Sequence, residues 1–216
     1  MKKSLLALLL AVAMVVPVFA AEKGDMEIVG KLGVAVNPTI VWCYGEDEGD
    51  SFGGYNKNPA LSIAVEGLYY IFPELPIGLG LNYQFDSDLS GTWSGLKSSE
   101  SGVTNIYLTV KPTAKIDSKI FTALYAIGQI GYGLNRVDMS GKWIDEPVYY
   151  KYDVDSNGLY WGLGAGTEIM NDFVFEFVFS TNYWSSKYEN TLYSSPEICD
   201  MKSTALTFFA GYKFNI

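Results

Sequence analysis

The chain has 216 residues, a formal net charge of −9 and no histidine. This length is that of a single domain, and the acidic balance disfavours nucleic acid as a partner. Without an imidazole, serine and cysteine nucleophiles lack their usual activator near neutral pH. We therefore predict that the protein is not an enzyme, has no catalytic residue, cofactor or metal site, and does not bind nucleic acid.

The first residues have the pattern of a secretory signal peptide. Two lysines follow Met1, an apolar run covers residues 5–19, and small residues surround the bond between Ala20 and Ala21. A charged start, a short apolar stretch and a small-residue site are typical of a cleaved signal. The apolar run is shorter than the roughly 20 residues of a membrane-spanning helix. We predict a signal peptide over residues 1–20, cleaved between Ala20 and Ala21, and one mature domain over residues 21–216.

Eight later segments alternate between two kinds of residue, which indicates strands with two different faces. They cover residues 28–36, 61–71, 77–85, 104–116, 120–134, 159–169, 173–183 and 204–216. On one face of each strand every residue is apolar, aromatic, Gly, Pro or Thr. The opposite faces, extended by one residue at the start, carry four carboxylates and four amines, which are Glu27, Lys31, Glu66, Lys111, Lys115, Glu168, Glu176 and Lys213.

The size of the side chains on the apolar face indicates which face of the predicted sheet is in contact with water. Phe173, Phe175, Phe177 and Phe179 share the apolar face of one strand, whereas many glycines fall on the charged face. The interior of an eight-stranded barrel is just wide enough for side chains. We therefore predict that the apolar face lies outside, against lipid, with small and charged residues inside. The alternative is a soluble barrel with its apolar face inward, which requires the reverse sorting of large and small residues.

The connections between these strands alternate in length. Long polar stretches cover residues 43–58, 86–102, 136–157 and 185–203, and short turns cover 73–76, 117–119 and 170–172. Long outer loops and short periplasmic turns are typical of outer-membrane barrels, and a sheet in lipid must be closed to satisfy its backbone. We predict an all-β fold, an eight-stranded antiparallel up-and-down transmembrane barrel with four long extracellular loops, integral to the outer membrane.

One proline conflicts with this assignment. Pro112 falls on the lipid-facing positions of the fourth strand, and a closed barrel has no free edge where a missing N–H is harmless. We predict a bulge or an early end of strand pairing at Pro112.

The charged face determines whether the barrel conducts. Counted from the short-turn end of each strand, Lys31, Glu66, Lys111, Glu176 and Lys213 fall at similar heights and form one belt. Charges in a narrow lumen are costly unless they pair. We predict a charge network that plugs the bore and fixes strand register. The alternative is a gated or selective pore lined by Lys and Glu.

Three segments resemble the small eight-stranded outer-membrane barrels of the OmpA, OmpX and OmpW kind. They are the Gly- and aromatic-rich stretches 125–133 and 159–169 and the final stretch 208–216, in which apolar residues alternate up to Ile216. The resemblance implies a porin-like fold, and insertion by the barrel-insertion machinery acting on the C-terminal strand. It also implies a rival function, because similarity to OmpW suggests a channel or transporter for small solutes or ions.

Two cysteines lie in the first and fourth long loops. Barrel closure makes these loops neighbours, because the last strand pairs with the first. Disulfides form outside the cytoplasm, so we predict a disulfide between Cys43 and Cys199; two reduced thiols are the alternative.

The composition of the predicted long loops indicates the function of the protein. The first loop carries four acids between Cys43 and Asp50, and an acidic rim attracts cations or basic partners. We expect a monomer in outer-membrane lipid that stabilises the envelope or recognises an extracellular ligand or surface.

Overall fold

The computed structural model describes residues 26–43, 51–57, 59–85, 89–91, 96–99, 102–142, 149–170, 172–189 and 196–216. The predicted signal peptide, with its cleavage between Ala20 and Ala21, lies outside these residues. The described chain forms twelve strands, which are β1 Met26–Cys43, β2 Ser51–Lys57, β3 Ala60–Phe72, β4 Leu75–Gln84, β5 Leu89–Gly91, β6 Leu96–Ser99, β7 Val103–Val110, β8 Thr113–Lys115, β9 Phe121–Lys142, β10 Tyr149–Ile169, β11 Phe173–Glu189 and β12 Pro196–Asn215.

Eight antiparallel strand positions, which we call walls, form a closed barrel, and β7 and β8 together make the fourth wall. The order around the barrel is β1, β3, β4, β7, β9, β10, β11 and β12, and β12 pairs with β1 to close it. The last strand runs in register with the first from Asn215 opposite Glu27 to Leu206 opposite Val36. The predicted eight-stranded antiparallel barrel is confirmed.

The two faces of the wall differ as the alternation predicts. We call the alternate positions that hold its buried residues the lumen set and those between them the outer set. On β12, Phe208 is 51% exposed and the next residue, Phe209, is 6% exposed. The outer set is apolar over the height of the barrel, and strands bury one face and leave the other free in this way. Other exposed residues of the outer set include Leu32, Leu61, Leu79, Leu108, Ile130, Leu163 and Phe177.

The fourth wall is interrupted at its proline. Strand β7 ends at Val110 and β8 begins at Thr113, so Lys111 and Pro112 belong to neither. The carbonyl of Pro112 still accepts a hydrogen bond from the N–H of Ala126 at 3.1 Å, but proline has no N–H to return. The prediction of a bulge or an early end is therefore corrected to a short interruption, because pairing with β9 resumes at Thr113 opposite Tyr125 in the same register.

The strands extend beyond their predicted ends on the long-hairpin side. β9 continues to Lys142 and β10 starts at Tyr149, and β11 and β12 lengthen in the same way. The sequence criterion required one face without charge, and it therefore stopped where charges begin on the outer set. Backbone pairing does not require such a face, and the strands continue beyond it. The described part of the chain contains no helix long and apolar enough to cross a membrane.

Candidate functional site in the barrel lumen

Four charged side chains meet in the bore of the barrel. Lys31 comes from β1, Glu66 from β3 and Glu176 from β11, and Lys111 comes from the interruption between β7 and β8. All four belong to the lumen set, and all four are buried. β1 and β3 are neighbours in the barrel, whereas β9 and β10 separate β7 from β11, so the contact between Lys111 and Glu176 crosses the bore.

The four groups form a ring of alternating charge, which we call the quartet. Lys31 Nζ lies 2.7 Å from Glu66 Oε1 and 2.7 Å from Glu176 Oε2. Lys111 Nζ lies 2.5 Å from Glu66 Oε2 and 2.6 Å from Glu176 Oε1. Each carboxylate therefore contacts both ammonium groups, and the ring carries no net charge. Such mutual pairing, with further hydrogen bonds, is what offsets the loss of hydration of a buried ion.

Neutral donors complete the hydrogen bonding of the quartet. The hydroxyl of Tyr107 donates to Glu66 Oε1 at 3.0 Å, and the hydroxyl of Tyr125 donates to Glu176 Oε1 at 2.9 Å. The amide of Gln129 also donates to Glu66 Oε1, at 3.3 Å, and accepts from the hydroxyl of Tyr160 at 2.6 Å. Lys111 Nζ lies 5.3 Å from the centre of the Tyr125 ring, within the range of a cation–π contact.

Large aromatic residues fill the lumen around the quartet, which corrects the expectation that mainly small and charged residues lie inside. Glycines provide the room. A Cβ on Gly80 would collide with the ring of Tyr107, and one on Gly166 would lie 2.5 Å from the ring of Tyr125. Each tyrosine stands directly opposite its glycine in the strand register. The buried aromatic residues of the lumen set are Tyr107, Tyr125, Tyr160, Trp184 and Phe209.

A second ion cluster lies toward the short-turn end. Lys213 Nζ lies 3.0 Å from Glu27 Oε1 and 3.0 Å from Glu168 Oε1, and the hydroxyl of Tyr70 donates to Glu27 Oε2 at 2.9 Å. A cavity of about 10 Å³ separates this cluster from Lys111 of the quartet. That volume is about the minimum for one water molecule.

The structure places the eight predicted lumen charges in three groups. Lys31, Glu66, Lys111 and Glu176 form the quartet, and Glu27, Glu168 and Lys213 form the second cluster. Lys115 is exposed on β8 and forms no ion pair with any described residue. The single predicted belt is therefore two clusters at different heights, and Lys115 lies outside both.

The two cysteines lie at the seam between the first and last strands. Cys43 stands opposite Asp200 in the register, and Cys199 is the next residue along β12. The disulfide stays a prediction. Within the described ranges, no group of three His, Cys, Asp or Glu residues could hold a metal ion.

Comparison with known proteins identifies the family. The sequence matches the family described as outer membrane protein beta-barrel domain over residues 5–214. The chain belongs to this family. As a member of the outer membrane protein beta-barrel family, it is an integral protein of the outer membrane, in contact with outer-membrane lipid. No curated protein matches it significantly.

Several solved structures of outer-membrane proteins are similar to this family member. Neisserial surface protein A is 11% identical, with 89% of this chain and 100% of that chain covered and a TM-score of 0.48. OprG from Pseudomonas aeruginosa is 12% identical, with 90% and 98% covered and a TM-score of 0.48. Ail of Yersinia pestis, in complex with the heparin analogue sucrose octasulfate, is 11% identical, with 89% and 100% covered and a TM-score of 0.46.

The uncharged half of this barrel's site was only partly predictable from the sequence. Gln129 falls among the polar residues of the charged face, but the same positions of Tyr107, Tyr125 and Tyr160 did not indicate a role for them. The available signal was the set of glycines on neighbouring strands, because a large ring in a narrow barrel needs a residue without a side chain beside it. To predict which tyrosine stands beside which glycine, the register between neighbouring strands must be known. Alternation shows which face a residue is on, but a register shift of two residues leaves the alternation unchanged.

Proposed function

We propose that this outer-membrane barrel has a plugged, non-conducting lumen and serves the envelope as a structural or surface-recognition protein. The observation that carries the proposal is the quartet. Its lysines and glutamates join four walls of the barrel through contacts of 2.5–2.7 Å, and their side chains are at most 4% exposed.

The quartet blocks ions for an electrostatic reason. An ion crossing the bore must displace a lysine or a glutamate from two opposite charges at once, in surroundings that hold little water. The displaced group is then buried without its partners, which costs several kcal/mol. The tyrosines above and beside the quartet occupy the remaining space, since eight strands enclose little more than their own side chains.

The composition of two segments at the predicted extracellular end supports the second part of this proposal, surface recognition. Acidic residues are concentrated between Cys43 and Asp50, and tyrosines between Val148 and Tyr152. Tyr side chains offer large contact area and a hydroxyl, and acidic groups attract basic partners. We propose that this end presents a binding surface to an extracellular ligand or surface.

The test is single-channel recording of the purified protein in planar bilayers. A plugged lumen predicts no steady conductance steps at moderate voltage. Steady steps that disappear or change ion selectivity when Lys31, Lys111 or Glu66 is replaced would overturn the proposal. Such steps would establish the rival function, a channel or transporter for small solutes or ions.

We propose further that the protein is a monomer, that it is not an enzyme, and that the C-terminal strand directs its insertion. The absence of histidine from the whole chain supports the second point. Lipid hydrolysis sustained by purified protein and removed by Glu176→Gln would refute it.

A further inference from the structure

The part of the lumen between the quartet and the long hairpins, which we call the upper layer, is polar but uncharged. As far as the side chains are described, no position of the lumen set in this layer holds Asp, Glu, Lys or Arg. Buried polar groups are costly unless they are hydrogen-bonded, so each of them needs a partner. The buried polar residues of the upper layer include Ser62, Gln84, Asn105, Asn182 and Ser203.

Two asparagine oxygens in the upper layer are buried without a partner. In the described part of the chain, Asn105 Oδ1 and Asn182 Oδ1 are among five buried side-chain atoms that form no hydrogen bond. Asn105 is 3% exposed and Asn182 is 6% exposed, so bulk solvent does not reach them. In native proteins nearly all buried polar atoms have a partner, either a protein group or an ordered water. The two oxygens therefore require a donor that the neighbouring side chains do not supply.

Both oxygens lie over the same glycine. A Cβ on Gly133 of β9 would lie 2.2 Å from Asn182 Oδ1 and 2.8 Å from Asn105 Oδ1. Asn105 stands directly opposite Gly133 on the neighbouring strand β7. Asn182 is two walls away on β11, and the residue of β10 that stands opposite Gly133 is Gly158, which has no side chain to intervene. Two side chains from different walls thus converge on the space over one residue.

The chemistry of the converging atoms identifies the class of ligand. An amide oxygen accepts hydrogen bonds and cannot donate one, so the two oxygens cannot bond to each other. Water is the smallest group that can donate a hydrogen to each of them, and a buried water typically makes about three hydrogen bonds to polar groups of the protein. A donor for the third bond lies two residues along the same face of β11, where Trp184 Nε1 is also buried without a partner.

We infer that a buried water molecule bridges Asn105 and Asn182 over Gly133. It donates one hydrogen to each oxygen and accepts a hydrogen bond from the indole of β11. The bridge joins β7 to β11 across the two walls between them, and the contact between Lys111 and Glu176 joins the same sides of the barrel at the level of the quartet. The site does not depend on whether the lumen conducts, so this inference goes beyond the proposed function.

The test is magnetic relaxation dispersion of the water oxygen nucleus, which counts the water molecules that exchange slowly with solvent, on protein folded in detergent micelles. The double replacement Asn105→Leu/Asn182→Leu keeps the branched shape of both side chains and removes both oxygens. Gly133→Ala places a methyl group where the two oxygens converge. Gly67→Ala is the control, because nothing lies within 4 Å of a Cβ at Gly67.

We expect the wild-type protein and Gly67→Ala to hold one slowly exchanging water more than the double variant and Gly133→Ala. An unchanged count in either of these two variants would overturn the inference. Stability that changes when potassium replaces sodium, and that loses this dependence in the double variant, would also overturn it by assigning the place to a cation. The two variants remove the site by different means, so either one tests it if the other fails to fold.

Recording in planar bilayers keeps this inference separate from the proposed function. An unchanged water count in a barrel without conductance removes the water site and leaves the plugged lumen. The expected loss of one water in a conducting barrel leaves the site and removes the plugged lumen.

Discussion

Glu176 shows how closely the residues of the lumen depend on one another. It accepts hydrogen bonds from Lys31, Lys111 and Tyr125, and its own strand supplies no other member of the quartet. Lys31 and Lys111 have only one other carboxylate in the quartet, that of Glu66. Removing a single negative charge therefore leaves two buried lysines to share one glutamate.

We predict that Glu176→Gln destabilises the folded barrel by about 3–5 kcal/mol, the range for removing one partner of a buried ion pair. The amide keeps the shape of the side chain, so the loss reflects charge. The measurement is urea unfolding in micelles, followed by tryptophan fluorescence.

The matched control for this charge replacement is Lys115→Gln. Lys115 was also predicted to lie in the lumen network but is exposed on β8. Its replacement should change stability by no more than about 0.5 kcal/mol, as for an exposed residue without special contacts. Equal effects of the two replacements would contradict the account of the quartet.

The glycines beside the tyrosines give a second prediction at this scale. Gly80→Ala should destabilise the barrel by about 1–3 kcal/mol, because the added methyl group overpacks the lumen against the ring of Tyr107. Unfolding of the variant, measured as above, gives the value.

Gly67→Ala is the control for the added methyl group. Nothing lies within 4 Å of a Cβ at Gly67, so the same change there should be neutral or stabilise by up to about 1 kcal/mol. A loss at Gly67 as large as that at Gly80 would show that chain conformation, not packing against Tyr107, is responsible.

At the scale of the element, the interrupted fourth wall illustrates the effect of one residue on a strand. Residues directly opposite in an antiparallel pair can exchange two hydrogen bonds. Ala126 donates to Pro112, but Pro112 cannot donate in return. The interruption holds Lys111, a member of the quartet, whose N–H donates to the carbonyl of Pro76 on the neighbouring β4 at 3.0 Å.

We predict that Pro112→Ala restores this pairing. The new N–H can donate to Ala126, a gain of about 1 kcal/mol, which the greater freedom of the unfolded chain partly offsets. Stability should be unchanged or raised by up to about 1 kcal/mol, and hydrogen exchange should show a protected amide at residue 112. An unprotected amide together with lower stability would contradict the proposed cause of the interruption.

The strands could be predicted from sequence in their membrane parts and not above them. Alternation identified β9 up to Leu134, because its outer set is apolar that far. From Arg136 alternate positions carry charges in the sequence, so a criterion built for lipid assigned a loop. The register shift of β1 against β12 between Val36 and Thr39 was not predictable either, since Thr39 to Cys43 alternate equally well in both phases.

At the scale of the whole molecule, closure of the barrel determines what the lumen contains. The sequence predicted that Lys31, Glu66, Lys111 and Glu176 face inward at similar heights, because that requires only the phase of each strand. It did not predict which lysine forms an ion pair with which glutamate, nor that Lys213, Glu27 and Glu168 form a separate cluster. Those contacts depend on the stagger between strands, which arises when the last strand pairs with the first.

The central claim is that apolar residues face lipid around a lumen filled with ions and aromatic rings. Carbene labelling of the wild-type protein in liposomes tests it most directly, with a lipid-soluble diazirine and mass mapping of the modified residues. Phe208 and Phe209 are the matched pair, because they are adjacent and identical in chemistry, yet 51% and 6% exposed. The account predicts adducts on Phe208, Phe177 and Leu108 and none on Phe209 or Tyr125. Adducts on Phe209 and Tyr125, with Phe208 unmodified, would contradict it.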